Sequence, residues 1–565
     1  MELKVGLMDQ QAKRVPKQKH ESVILQFDYD CFYAQVHENK NPALKPKPLG
    51  IKQKNILATC NYNARRFGVK KLMLISEARK ICKDLVLVDG EDLTPFRDAS
   101  KILFNFLRSH SWNEKAERLG LDEVFMDVTD IVDYNIECLN VNGLSDSFFF
   151  LSKTDPEVGF KCDLTAIAGC VQGIRPNQAP LDNKLYLRLL LGSHLANYLR
   201  SKLETDFGYT STCGISTNKL LGKLVGARNK PQNQTTLLAL HDVDILAFLD
   251  AHKTRQVPGI GFRTAMQLES FVLGEEVRPD SQFDSALFVR QVRLHPSMSP
   301  GFIETLLAGP GAERGIGARV WGLLHGVDPT EVKTFSNIPS QISIEDTYKG
   351  LETIPQITEQ LHKLSCSLIR RMRIDLLALD QHADMPGAQR WIARPKTLRL
   401  CVRSWPMRQS SDSSQNFSRV SRSGPLPIFV FDVDGDIDAL AQQLVAEALL
   451  PLLRRLQGDK GQKWNLQLIN VCVANMVAGA ADDGQGAGRD ISAMFKRQDE
   501  VLRPFRLDSI SGDEKTEPSD SFLNDDESES AMAWDTVNHS VCPACGRSLP
   551  SFAMPAHTRF HEMGE

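Results

Sequence analysis

Four acids draw notice by their positions. Asp28 and Asp30 close the apolar run SVILQFDYD, residues 22–30, and Asp122 and Glu123 sit beside a second strand-like stretch much later in the chain. If those two strands pair, three or four carboxylates meet at one sheet edge. Carboxylates held within a few ångströms repel one another and are stable together mainly around divalent cations, and hard oxygen ligands select magnesium or manganese. For either pair alone the competing account is solvated acids in turns at strand ends.

The neighbouring residues favour the metal reading. Directly after the first strand, Cys31, Phe32 and Tyr33 are expected to open a helix, whose unpaired amides and positive dipole end suit a phosphate chain. In TCNYNARRFGV, Tyr62 and Arg65 are three apart, so on a helix a hydroxyl and a guanidinium share one turn and reach phosphate oxygens together. Lys223 and Lys230 follow on a Lys-studded segment, NKLLGKLVGARNK. Acids for two metal ions, a helix start, an arginine and lysines describe a nucleoside triphosphate, and the chemistry is nucleotidyl or phosphoryl transfer. At the other end of the chain, Cys542, Cys545, His557 and His561 are spaced C-x2-C-x11-H-x3-H, the spacing of a tetrahedral zinc site.

These residues need scaffolding, and the chain is long enough to supply it. Its 565 residues suggest three to five folded units. With 42% hydrophobic and 24% charged residues the composition is that of globular proteins, no apolar run approaches a bilayer span, and the N-terminus has no apolar secretory core. A membrane protein is not expected. Twelve cysteines with a single C-x-x-C do not read as a disulfide scaffold, so a reducing compartment is the natural setting. The net charge of −3 hides an asymmetry: residues 506–565 carry −8, which leaves a mildly basic +5 on residues 1–505, permissive of nucleic acid.

ERLGLDEVFMDVTD, residues 117–130, alternates as a half-buried hairpin with Val124, Met126 and Val128 on one face. Residues 139–182 are rich in Asn, Ser, Asp, Gly and Pro and read as an insertion or a long surface loop. In TLRLCVRSW, Leu398, Leu400 and Val402 share one face of a strand while Arg399 and Arg403 share the other, suited to a nucleic acid backbone or simply to solvent. After Ala478 the chain turns to Gly, Asp and Ser and is expected not to fold.

DYDCFYAQV, PLGIKQKNILATCNYNARRFGVKKLM, LVLVDGEDLTPFR, GLDEVFMDVT, CGISTNKLLGKLVGARNKPQNQT and VPGIGFRTAM occur in one order, and in that order the sequence resembles the Y-family translesion DNA polymerases over roughly residues 22–475. The resemblance implies an α/β (α+β) multidomain right hand. It has a flexible N-terminus (1–20), a ferredoxin-like palm (21–45 and 98–239, with 139–182 inserted), fingers (46–97) and a helical thumb with a helix-hairpin-helix (240–335). An α/β little finger (336–475) follows, then a disordered acidic linker (476–539) and a small zinc finger (540–565). It further implies that Asp28, Asp122 and Glu123, with the Tyr29 carbonyl, hold two Mg2+ or Mn2+ ions. Cys31, Phe32, Tyr33, Tyr62, Arg65 and Lys230 would bind the nucleotide, Tyr33 as the ring that excludes a 2′-hydroxyl. Gln53, Lys54, Ile56 and Ala58 would cover the templating base. Asp30 and Lys223 would support the site or be ordinary surface groups. The Pro258-Gly259-Ile260-Gly261 turn, through Gly259 and Gly261, would grip a DNA phosphate, with Arg399 and Arg403 on the backbone further along.

The implied activity is template-directed addition of dNTPs opposite damaged bases, by a nuclear, monomeric enzyme acting on primer-template DNA. A non-catalytic scaffold that recruits partners through its tail is the alternative, against which the intact acids argue; a nucleotidyl cyclase would not need the DNA-gripping units. The zinc segment resembles the ubiquitin-binding fingers of related polymerases, but Thr558, Arg559 and Phe560 stand where such fingers carry an acid, so zinc is better founded than ubiquitin or a ubiquitinated clamp. RDISAMFKRQ resembles a degenerate sliding-clamp box, with Ile491, Met494 and Phe495 on one helical face but no leading Gln. Phe148-Phe149-Phe150 reads either as a docking motif or as buried packing.

Overall fold

The computed structural model describes residues 16–18, 20–175, 179–275, 287–309, 312–379, 389–405, 419–457 and 464–478. Of the tail it describes only residues 539–541, 543 and 548–550. Residues up to Ala480 form one compact unit, and the remainder forms a second.

The first sheet begins with β1 (Ile24–Tyr29), whose side chains are buried on both faces, and α1 (Phe32–Lys40) follows after a two-residue turn. The chain then builds a three-stranded sheet from β2 (Leu49–Gln53), β3 (Ile56–Cys60) and β4 (Val86–Asp89), with the short helices α2 (Tyr62–Arg66) and α3 (Ile75–Ile81) between them. That sheet has its own core, with Leu57, Cys60, Ala64, Val69 and Ala78 fully or almost fully buried. Returning through α4 (Thr94–Arg108), the chain adds the hairpin β5 (Ala116–Leu119) and β6 (Glu123–Asp127), then α5 (Thr129–Glu137).

The hairpin forms as expected, but it is not half-buried. Val124, Phe125, Met126 and Asp127 are all buried, because Phe125 on the second face packs with Ile24 and Val332. Nor are residues 139–182 a surface loop. They fold into β7 (Ser147–Phe150) paired with β8 (Gly159–Cys162), and β9 (Cys170–Gln172) joins the main sheet. Phe149 is fully buried and stacks on Phe160, so packing accounts for the phenylalanine run at its centre.

The long helix α6 (Lys184–Phe207), capped by Asn183 and ended by left-handed Gly208, leads into β10 (Ser211–Ser216). Helix α7 (Lys219–Gly226) and β11 (Gln234–Leu237) complete a six-stranded sheet in the order β5-β6-β1-β10-β11-β9. β1 is central, antiparallel to both β6 and β10.

A helical cluster follows: α8 (Asp242–Asp250), α9 (Phe262–Leu273), α10 (Val289–Arg293), α11 (Pro300–Leu306) and α12 (Ile316–Leu324). Its core is Ile245, Leu249, Val257, Ile260, Leu268 and Leu324, shared with Leu220 and Leu224 of α7. Gln18 donates to the His325 carbonyl (2.7 Å) and Arg188 to that of His20 (3.3 Å), so the segment expected to be flexible through residue 20 is tied down at its end.

The last unit pairs β12 (Gln341–Leu351), β15 (Ala393–Ser404), β16 (Val420–Pro425) and β17 (Leu466–Ala478) in the order β12-β17-β15-β16, with the small ribbon β13 (Leu377–Leu379) and β14 (Gln389–Trp391) beside them. Helix α13 (Ile354–Leu376), opened by the Thr353 capping box, and helix α14 (Ile437–Leu444) with the helical turns through Gln457 cover one face. The alternation read in TLRLCVRSW is present: Leu398, Leu400 and Val402 are buried, whereas Arg399 is exposed and Arg403 partly so.

In the tail, β18 (His539–Val541) pairs antiparallel with β19 (Ser548–Pro550), which places Cys542 and Cys545 in the connection by sequence. All four zinc-spaced residues, and Ile491, Met494 and Phe495, lie outside the described residues. The described cysteines carry no disulfide, and no described helix is long and apolar enough to cross a membrane.

Candidate active site

Asp28 on β1 and Glu123 on β6 are register partners, and the Tyr29 amide donates to the Asp122 carbonyl (2.9 Å). The three acids expected to act together are thus brought to one edge of the central strand pair. Asp122 registers the cost: burial first, and then the charges of Asp28 and Glu123, push its carboxyl up to about 6, with Lys230 opposing. A carboxylate set short of positive charge is what a divalent cation site requires.

Two lysines meet that set. Lys230 pairs with Asp28, and Lys223, in the last turn of α7, reaches Glu123 at 2.7 Å. One turn earlier Lys219 pairs with Glu117 (3.1 Å). With Asp28 and Glu123 each held by a lysine, Asp28, Asp122 and Glu123 do not close into a cluster with ligand atoms within 4.8 Å of one another. Seating cations would therefore mean displacing ammonium groups from the carboxylates.

Glycines fix where those lysines stand. A Cβ on Gly214 of β10 would lie 2.0 Å from the Gly222 carbonyl oxygen and 2.6 Å from the Gly226 nitrogen, both on α7. The helix therefore lies directly on the strand next to β1.

Asp30 does not join the other acids. It is buried, accepts from the Gln232 amide (2.9 Å) and the Thr210 hydroxyl (3.0 Å), and so anchors the segment that carries Lys230. Burial holds its carboxyl above the usual range despite these donors. Tyr29 closes β1 with its phenol fully buried, pushed up by that burial.

Helix α1 starts at Cys31 in the left-handed region (φ 37°) with no side chain capping it, so its first amides stay available to an anion. Burial pushes the Cys31 thiol up to about 12. Phe32 is buried, and Tyr33 stacks on Phe96 of α4. The Arg65 guanidinium lies over the Tyr62 ring at 4.6 Å and its Nε donates to the Cys60 carbonyl (3.2 Å). Burial, then the charge of Asp30, pushes the Tyr62 phenol up to about 12, with Asp28 adding to it, so Tyr62 sits in the field of the acids.

Asn61 was not singled out in the sequence, yet it locks this corner. Its Oδ1 caps α2 at Ala64 N and accepts from Leu49 N (both 3.0 Å), while its Nδ2 donates to Glu38 and to the Lys47 carbonyl (both 2.8 Å). An asparagine directly before a helix is a cap signal, and that preference was the available clue. Arg97 and Arg118 were also missed. They line an open cleft of about 1380 Å³ together with Lys101, Arg108, Arg371 and Asp375, and nothing in their local spacing sets them apart.

The remaining candidates stand elsewhere. Gln53 donates to the Gly90 carbonyl (2.8 Å) at the end of β2, and Ile56 and Ala58 are partly exposed on β3. Lys54, left-handed at φ 51°, reaches from this sheet to Asp346 and the Thr347 carbonyl. Gly259 (φ 89°) and Gly261, the residue before α9, belong to the helical cluster. Arg399 and Arg403 belong to the four-stranded sheet.

Residues 27–227 match the impB/mucB/samB family, and residues 339–487 match that family's C-terminal domain. The chain belongs to this family. Among curated relatives it is similar to "DNA polymerase iota" of Homo sapiens, 32% identical over 457 residues, covering 81% of this chain and 52% of the relative. A protein of that name from Drosophila melanogaster is 40% identical over 247 residues, 43% of this chain and 30% of the relative. "DNA polymerase IV" of Aeromonas hydrophila is 30% identical over 255 residues, 44% of this chain and 55% of the relative. The chain thus spans about half the length of the human and mouse relatives. The family match takes in the end of β1, the acid-bearing hairpin and α7, which carry motifs from which the Y-family resemblance was drawn, and also the four-stranded sheet, which carries none of them; VPGIGFRTAM lies between the two matched stretches.

Proposed function

We propose that this chain is a template-directed DNA polymerase of the translesion type, adding dNTPs to a primer 3′-hydroxyl. The observation that carries the reading is the register pairing of Asp28 with Glu123, with Asp122 adjoining and Lys223 and Lys230 already against the acids. The six-stranded sheet is then the palm, the three-stranded sheet the fingers, the helical cluster the thumb and the four-stranded sheet the little finger.

In this reading Asp28, Asp122, Glu123 and the Tyr29 carbonyl hold two magnesium ions. When bound, these would make the 3′-hydroxyl more acidic and offset charge on the departing pyrophosphate. Lys230, released from Asp28, is within the site to meet a phosphate oxygen. Arg65 and Tyr62 take further phosphate oxygens, Arg65 with its plane already set by the Tyr62 ring. The uncapped start of α1 at Cys31 and Phe32 faces the same chain of anions. Tyr33, backed by Phe96, occupies the space a ribose 2′-hydroxyl would need. Gln53, Lys54, Ile56 and Ala58 cover the templating base. Gly259 and Gly261 offer amides to one DNA phosphate, and Arg399 and Arg403 present cations to others.

The tail is read as a zinc finger that docks on ubiquitin or a ubiquitin-carrying clamp, and the clamp box as a second tether. A protein that acts on chromosomal DNA is read as nuclear. Primer extension on a defined template, with and without magnesium, tests the central reading. The chain should extend only with the metal, and Asp122→Ala with Glu123→Ala should abolish extension while DNA binding persists, because affinity comes from many phosphate contacts. Extension by the double variant would overturn it.

A further inference from the structure

Away from the acids of the central sheet, helices α13 and α14 bring together three side chains that nothing in the polymerase reading uses. His362 and Cys366 are four residues apart on α13, so both leave the same face of the helix. Asp438 sits in the first turn of α14. His362 Nε2 is 3.3 Å from Asp438 Oδ1, Cys366 Sγ is 3.8 Å from His362 Nε2, and it is 3.8 Å from Asp438 Oδ1. Among the described residues, this is the one group of three metal-binding side chains whose ligand atoms all lie within 4.8 Å of one another.

We propose that His362, Cys366 and Asp438 form a zinc site that ties α13 to α14. The distances discriminate between an ion and a simple hydrogen-bonded trio. A charge-assisted bond from a histidine to a carboxylate runs about 2.7 to 2.9 Å, shorter than the separation here. Zinc bonds of about 2.0 Å to nitrogen and oxygen and 2.3 Å to sulfur, arranged tetrahedrally, place the ligand atoms roughly 3.3 to 3.6 Å apart. The three observed separations fall within a few tenths of an ångström of those edges. Nitrogen, sulfur and oxygen together select a borderline ion such as zinc over magnesium or calcium.

The surroundings hold the ligands in place. Cys366 is 6% exposed and packs into the core beneath α13, so its sulfur has little room to turn away. The second carboxylate oxygen of Asp438 accepts from Gln442 Nε2 at 3.1 Å, which orients Oδ1 toward the histidine, as outer partners of metal ligands do. His362 Nε2 also lies 3.3 Å from the Asp438 carbonyl oxygen. The Asp438 side chain is 62% exposed, so water is at hand for the fourth position. The ion would be structural, fastening two helices on the covered side of the sheet whose other face carries Arg399 and Arg403.

The test uses the full chain with Cys542→Ala and Cys545→Ala, so that the tail thiolates cannot contribute. After zinc loading and gel filtration this chain should retain one zinc per molecule, and cobalt in its place should give the sulfur-to-metal charge-transfer band of a single thiolate. Adding Cys366→Ala should remove both metal and band. Asp438→Ala, a change at an exposed side chain that spares the core, should do the same if the buried cysteine variant fails to fold. Zinc should also raise the melting temperature of the parent chain by a few degrees and leave that of the Asp438→Ala chain unmoved. A parent chain that retains no zinc, or zinc retained equally with Asp438→Ala, refutes the site.

Discussion

Tyr33 and Phe96 lie face to face, their ring centroids 4.0 Å apart and their planes 9° from parallel. Phe96 is fully buried, so the polar ring is backed by a rigid apolar one and cannot retreat from the space in front of it. Tyr33→Ala should raise ribonucleotide incorporation, read as the ratio of kcat/KM for dNTP and rNTP. Phe96→Ala should cost about 3 to 5 kcal/mol of stability and loosen the same discrimination through Tyr33. Unchanged selectivity in Tyr33→Ala would remove the ring from this role.

Lys230 is paired with Asp28 in the structure, and in the proposed polymerase it turns to the triphosphate. A charge-assisted contact of this kind is worth roughly 1.5 to 3 kcal/mol, so Lys230→Ala should lower kcat/KM for dNTP by about 10- to 100-fold. Primer-template affinity should hardly change. An equal loss of DNA binding would place Lys230 on the DNA instead.

Two buried histidines should make the helical cluster acid-sensitive. His252 Nδ1 donates to the Phe248 carbonyl and His325 Nδ1 to that of Trp321, both at 2.8 Å. Burial holds both below the ordinary value of 6.5, with Arg228 opposing protonation at His252 and Arg293 doing so at His325 against Asp250. A base whose folded pKa is depressed takes up its proton more readily when unfolded. Stability is therefore full above 6.5 and falls as the pH drops from there toward the folded pKa. The melting temperature should decline between pH 7.5 and 5.5, and His252→Gln should flatten that decline. A slope unaltered by the substitution would mean that other groups set it.

For the tail, Cys542→Ala should leave extension of a bare primer-template unchanged, because the proposed finger would act through a partner and a unit of that size has too little core to fold without metal. Titration of the full chain with ubiquitin should show zinc-dependent binding that the variant loses. Zinc uptake with no response to ubiquitin would leave a purely structural knuckle, and Arg559 would be the first residue to examine.

Much of the site was legible because its chemistry is local: acids at strand ends, Tyr62 and Arg65 one turn apart, an alternating strand with Arg399 and Arg403 on one face. What escaped was set by tertiary structure. The pairing of Lys223 with Glu123 joins residues one hundred positions apart, and no periodicity announces it. The surface-loop reading of residues 139–182 rested on polar composition, whereas β9 gains its place by hydrogen-bonding to β11 at the sheet edge, where a very short strand suffices. Phe125 alternated toward solvent in the sequence but is covered by Val332 from much later in the chain.

The glycine contact between β10 and α7 sets how forgiving the chain is to change. Because a Cβ on Gly214 or on Gly226 would run into the facing backbone, there is no slack there through which a methyl group could be absorbed except by sliding the helix, and the helix carries Lys219 and Lys223. Exhaustive substitution of this chain should accordingly reveal intolerance at these two positions, neither of which was assigned to a reactant, while Gly222, whose Cβ would meet nothing closer than 3.6 Å, should accept alanine. Mutations at Gly214 and Gly226 would be scored as catalytic defects although the damage is one of spacing.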